Sequence, residues 1–159
     1  GDIMKTKPSK TDRILEALGW IMLIGTLMYL IIGWSSFPDQ IPAHYNAAGE
    51  IDRYGSKWEI VFIEAVMWLL YLGIGLLEKY PEIWNTGVKV TPANREKVYC
   101  TLRYFIKTLK LSTTLIFAFL VITSLQGSPL PGWFTPASLF LVFGGMAFWL
   151  IRLFLIRKG

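Results

Sequence analysis

Long uncharged apolar runs alternate with polar, mostly basic segments along this chain. Residues Ala17–Trp34, Ala65–Leu77, Leu111–Leu125 and Trp133–Ile151 contain no Asp, Glu, Lys or Arg. A hydrocarbon core of about 30 Å needs about 20 helical residues. Within it, every backbone N–H and C=O must bond inside its own segment, so each run predicts an α-helix. The pattern predicts an all-α integral membrane protein with four transmembrane helices, over about 14–34, 58–80, 103–125 and 135–156. One membrane domain then occupies residues 1–159. The hydrophobic content of 53% agrees, being above the roughly 45–50% typical of soluble domains.

The breaker residues set the connections. Ser9 or Thr11 can cap the first helix. Pro81 stops the second. Thr91 followed by Pro92 reads as a cap-plus-proline start for the third, which then outruns a bilayer. Thr135 and Pro136 repeat that signal for the fourth. Val88-Lys89-Val90 reads as a short extended piece. Between the first two helices, Pro38, Pro42, Gly49 and Gly55 argue against regular structure. Residues 35–57 are expected to form an ordered loop cap with a turn at Asn46–Gly49. Gly73, Gly75, Gly144 and Gly145 are expected to let helices approach closely.

Charge placement gives the direction. Arg53 and Lys57 are the only basic residues between the first and second spans, and none lies between the third and fourth. The rest, including Lys5, Lys7 and Lys158, sit at the two ends or in the middle loop. The positive-inside rule makes those regions cytoplasmic, hence an N-in/C-in topology with residues 35–57 and 126–134 extracellular. The net charge of +5 is then explained by membrane lipids and calls for no nucleic acid. Cys100 is the only cysteine, so no intrachain disulfide forms, and on the cytoplasmic side it stays reduced. The first apolar run is longer than a signal-peptide core, and Gly33-Trp34-Ser35-Ser36 is a poor cleavage site.

Three groups of residues carry candidate chemistry. Asp39, His44, Asn46, Glu50, Asp52, Arg53 and Lys57 crowd the segment between the first two spans. His44 with Asp39, Glu50 or Asp52 offers mixed N and O donors that suit several divalent metals. The spacing matches no metal signature, and the same residues also read as a folded, solvated loop. Glu64 lies roughly 9 Å below the level of Trp58 at the helical rise. A carboxylate there is costly and needs a partner in the bundle interior. It reads as a cation-, proton- or amine-binding group, or as a buried acid bonded to a neighbouring helix. Trp68 and Tyr71 share its face. Arg103, Lys107 and Lys110 make one basic stripe on the third helix. They read as a lipid-phosphate or acidic-partner site, or as side chains snorkelling to headgroups. No nucleophile–base set is visible, which argues against an enzyme.

The run F-P-D-Q-I-P-A-H-Y-N-A-A-G-E-I-D-R-Y-G-S-K, Phe37–Lys57, resembles the signature of the bacterial domain-of-unknown-function family 1648. That module also forms the N-terminal part of the SdpI toxin-immunity protein. The shared positions are Pro38, Ile41, Pro42, His44, Asn46, Gly49, Asp52 and Lys57. A second stretch, N-T-G-V-K-V-T-P-A-N-R-E-K-V-Y at Asn85–Tyr99, is similar to a motif of small members. The resemblance implies a non-enzymatic protein of the bacterial cytoplasmic membrane, acting in immunity or sensing. Its ligand would be a peptide or amphiphile, bound at the outer face by His44, Asn46, Asp52, Lys57 and Glu64. Implied partners are membrane lipids at Arg103, Lys107 and Lys110, a peptide toxin or membrane-recruited regulator, and a second copy of the chain. No cofactor is implied; a divalent metal is the one the residues admit. The alternative is a small transporter or ion-binding protein using Glu64.

Overall fold

Four long helices carry the fold in the computed structural model, which describes residues 8–157. Helix α1 spans Lys10–Gly33 and runs into a 3₁₀ turn at Trp34–Ser36. Strands β1 (Gln40–Tyr45) and β2 (Ile51–Ser56) follow, then α2 (Trp58–Glu78). After a 3₁₀ turn at Pro81–Ile83 comes α3 (Arg95–Leu125). Helix α4 spans Phe134–Ile156. All four are long and apolar enough to cross a membrane, as a multi-pass membrane protein requires. The expectations that involve Lys5, Lys7 and Lys158 fall outside the described residues.

Helix α3 is the hub. It packs on α1, α2 and the second half of α4, whereas α1 and α2 meet each other only sparsely. Two apolar clusters fill the junctions. Leu23, Met67, Tyr71 and Ala118 form one, and Leu30, Ile41, Ile60, Val121 and Leu125 the other. Much of the outer surface is apolar, including Ile32, Phe62, Leu69 and Phe140. Such a shell suits lipid as solvent.

Local chemistry explains the helix ends, with several departures from the sequence expectations. Ser9 caps α1: its Oγ accepts from Asp12 N at 3.1 Å, and Asp12 Oδ2 accepts from Ser9 N at 2.8 Å. This is a reciprocal capping box. Thr91 does not cap α3 directly. Thr91 and Asn94 close a turn on each other, and the helix begins one residue later at Arg95. No strand forms at Val88–Val90. Thr135 does not cap α4, which begins at Phe134 with Pro136 in its first turn, where a missing N–H costs nothing. Helix α4 also carries a π turn at Phe140–Gly144, a register shift with no clear sequence signal.

The all-α expectation needs a larger correction. The segment between α1 and α2 is not a loop; it contains an antiparallel β-hairpin. Gln40 pairs with Ser56, Ile41 with Gly55 and Pro42 with Tyr54, after which the register slips to His44–Arg53 and Tyr45–Ile51. Both strands are edges, and proline is tolerated at such edges and bulges. Asn46 makes the turn, its Oδ1 accepting from Ala48 N and Glu50 N at 3.0 and 2.9 Å. The hairpin rests on the helix ends. Ile41 enters the core, Ser124 Oγ donates to Pro42 O, and Leu130 N donates to Gly49 O at 2.9 Å.

The glycines that matter also differ from those expected. A Cβ at Gly73, Gly75 or Gly145 would touch nothing among the described residues, and one at Gly144 only its own helix's Phe140. A Cβ at Gly19 would collide with the Tyr71 hydroxyl, so the close approach of α1 and α2 is there. Gly49 has φ +88° and sits against the Leu130 carbonyl. Gly49→Ala is therefore expected to cost about 1–3 kcal/mol. Gly73→Ala, in open space on a helix, should be neutral or stabilising by up to about 1 kcal/mol. Thermal unfolding in detergent compares them; equal melting of the two variants would contradict the hairpin's seat.

Candidate functional site

At the end of the bundle away from the hairpin, the basic stripe of α3 turns inward. Lys110 is 3% exposed. Its Nζ lies 3.1 Å from Glu16 Oε2 on α1 and 2.8 Å from Glu78 Oε1 on α2. Lys107 Nζ lies 3.0 Å from Glu78 Oε2, and an Arg103 Nη lies 3.7 Å from Asp12 Oδ2. The snorkelling expected for these residues is thus not the arrangement observed. A stripe at i, i+4 and i+7 on α3 meets acids at i and i+4 on α1, so both periodicities run along one seam. Glu78 closes α2, where a negative charge opposes the helix dipole, and two lysines offset it. Aromatic groups complete the surroundings. Trp20 Nε1 donates to Glu16 Oε1 at 3.1 Å, and Lys110 Nζ stands 4.6 Å from the Tyr71 ring centroid.

Because α1 and α2 are joined through α3 more than to each other, a groove opens between them. It is a cavity of about 600 Å³. Trp20, Tyr71, Leu72 and Leu76 give it apolar walls; Arg13, Lys79 and the seam residues give it charge. The charged lining is Asp12, Glu16 and Glu78 against Arg13, Lys79, Arg103, Lys107 and Lys110, a basic excess. Asp12 Oδ1 is buried there without a hydrogen-bond partner among the described residues. The groove thus joins apolar walls to guanidinium and ammonium groups.

Glu64 lies deeper, inside the bundle, and is 3% exposed. Its Oε1 contacts Thr26 Oγ1 on α1 at 2.8 Å and Trp68 Nε1 on its own helix at 3.1 Å. Its Oε2 is buried without a hydrogen-bond partner among the described residues. The expected polar partner is therefore present, and it is a threonine. Trp68 and Tyr71 both pack near Trp20, with ring centroids 6.0 and 5.4 Å apart from it. An aromatic ladder thus runs from Glu64 to Glu16.

In the hairpin the polar side chains satisfy one another. His44 Nδ1 lies 2.6 Å from Asp52 Oδ1, and both side chains are well exposed. Asn46 Nδ2 donates to Glu50 Oε2 at 2.9 Å. Arg53 lies 3.3 Å from Glu59. Lys57 Nζ donates to Trp34 O at 2.8 Å, sits over the Trp34 ring, and is 3.8 Å from Asp39. Tyr45 donates to Ser128 O at 2.9 Å, and burial pushes its hydroxyl above the usual tyrosine range. Among the described residues no three His, Cys, Asp or Glu side chains converge as a metal site would need. The structure thus joins His44 to Asp52, leaves Asn46 and Lys57 in separate contacts, and places Glu64 apart from all four. The acids Asp12, Glu16 and Glu78 were not singled out by the sequence reading. Their signal was their position: acids at span ends, with the helical spacing of the basic stripe.

Residues 21–69 match the family model described as Domain of unknown function (DUF1648). This segment is a DUF1648 domain. It covers the hairpin-side part of α1, the hairpin and the first half of α2. The DUF1648 segment therefore holds Thr26, His44, Asn46, Asp52, Lys57 and Glu64, while the groove charges lie outside it. An uncharacterized protein of the archaeon Archaeoglobus fulgidus is 29% identical over 124 residues, covering 69% of this chain and 67% of that protein. No solved structure matches the chain.

Removing the hub cation tests the seam. Lys110→Met leaves Glu16 and Glu78 short of a buried counter-charge. It should lower stability by about 3–5 kcal/mol, read from denaturant unfolding in detergent. A loss below about 0.5 kcal/mol would show that Lys110 is not buried between these acids.

Proposed function

We propose that this is a non-enzymatic multi-pass protein of the cytoplasmic membrane that binds an anionic amphiphile in the groove between α1 and α2. The observation carrying this reading is the pairing of apolar walls with a basic excess in a cavity of about 600 Å³. Phosphate- or carboxylate-bearing heads suit Arg13 and Lys79, the groove cations that the acids of the seam do not engage among the described residues, and an acyl chain suits Leu72, Leu76 and Trp20. The placement of Lys and Arg along the chain supports an N-in/C-in orientation, with the groove on the cytoplasmic side and the hairpin as an outer cap. Anionic lipids are concentrated on that side. The groove is preferred over the hairpin as the binding place because it joins apolar walls to charge in one cavity, whereas the hairpin's polar side chains lie in separate contacts.

Binding of this kind serves a sensing or immunity role such as the resemblance to SdpI implies. A membrane-active amphiphile or toxin would be detected through the lipid or segment it places in the groove. The second reading, an ion-binding or small transport protein, rests on Glu64 and its unpartnered oxygen.

Ligand-linked stability tests the first reading. Anything that binds only the folded state raises stability as its concentration exceeds Kd. Phosphatidylglycerol added to the detergent-solubilised protein should raise Tm by several degrees more than phosphatidylcholine. Gly75 lines the groove, and a Cβ there meets nothing among the described residues. Gly75→Phe should fold, fill the groove and abolish that difference. Equal shifts with both lipids, or an undiminished shift in Gly75→Phe, would remove the groove as the site.

A further inference from the structure

Proton counting at Glu64 leads to a second site, independent of the groove. Thr26 Oγ1 lies 3.0 Å from Leu23 O and 2.8 Å from Glu64 Oε1. A hydroxyl carries one proton. In a helix, threonine commonly gives that proton to a carbonyl three or four residues back. Leu23 O is such a carbonyl. Once the proton is used there, two oxygens at 2.8 Å need another proton between them, and the carboxyl group is its only source. The Trp68 N–H at 3.1 Å donates to Oε1 in either state of the acid.

The second oxygen agrees. An ionised carboxylate spreads its charge over both oxygens and accepts on each. Glu64 Oε2 is buried and accepts nothing from the described residues. A carbonyl oxygen of a neutral acid bears that isolation at far lower cost than half of a charge.

Among the described residues no counter-charge faces the group. From α1, residues 17–33 carry no charge, and from α3, residues 111–125 carry none. On α2 itself no other charge lies between Ile60 and Leu77. Helix α4 has none before Arg152. The nearby hairpin charges are engaged elsewhere: Lys57 on Trp34 O and Asp39, Arg53 on Glu59. Among the described residues, no Lys, Arg or His forms an ion pair with Glu64.

We propose that Glu64 is a proton-binding site, a neutral carboxylic acid whose O–H donates to Thr26 and joins α2 to α1. The contrast with Glu16 and Glu78 is chemical. Those acids each have the Lys110 ammonium within 3.1 Å. Glu64 has only a hydroxyl and an indole beside its Oε1 among the described residues, and neither carries a charge. The proton is then a structural ligand between α1 and α2, beside the Thr26–Met67 contact.

Infrared difference spectroscopy of the full chain in detergent at neutral pH reads this directly. Exposed carboxylates, with ordinary pKa values of about 4, are ionised there and give no carboxylic-acid C=O band. The wild type should show one such band. Glu64→Gln should lose it. Thr26→Val keeps the acid but removes its acceptor, so the band should remain and move to higher frequency. If Glu64→Gln does not fold, the Thr26→Val shift decides alone. Absence of the band from the wild type, or a band that neither substitution alters, would overturn the proposal.

Discussion

A buried lysine on α3 constrains the rest of the bundle. Lys110 cannot sit in a helix interface with its charge unanswered. The answer comes from two other helices at once, Glu16 on α1 and Glu78 on α2. Those contacts fix the rotation of both helices about α3. They also hold α1 and α2 through α3 rather than against each other, and the groove is the space that remains. Lys107 and Arg103 extend the same logic along the stripe, each toward an acid of another helix.

The other end of the molecule is held by different means. There the hairpin contributes Ile41 to an apolar cluster with Leu30, Ile60, Val121 and Leu125. Its backbone is tied to α3 and to the chain after it by Ser124 and Leu130. Between the two ends stand Trp20, Tyr71 and Trp68, whose rings pack edge to face. The two indoles also donate to Glu16 and Glu64. One ladder therefore touches an ion-paired acid at one end and the isolated acid at the other.

The helices were legible because an uncharged run of bilayer length admits few other structures. Their partnerships were not. A stripe at Arg103, Lys107 and Lys110 looks the same in sequence whether it faces lipid heads or acids. Only the positions of Asp12, Glu16 and Glu78 in three dimensions decide between them. The hairpin was hidden by Pro42 and by a register slip that breaks the alternation a strand would show. The turn at Asn46–Gly49 was visible, since Asn and Gly at those offsets have few alternatives. Glu64 was visible as a cost in need of a partner. Thr26 was not, because one threonine among apolar residues carries no signal of its own. The small residues of α2 and α4 misled for the same reason: Gly73 and Gly145 face open space, while Gly19 makes the close approach.

The charges of α3 are answered across helices by α1 and α2. A double-mutant cycle between Lys107 and Glu78, 3.0 Å apart, measures this pairing most directly. Lys107→Met, Glu78→Gln and the double variant would be compared by unfolding in detergent. Paired across the interface, the two residues should show a coupling energy of about 1 kcal/mol or more. Additive losses, with no coupling beyond error, would mean that Lys107 reaches lipid or water instead, and the account of the groove would fail with it.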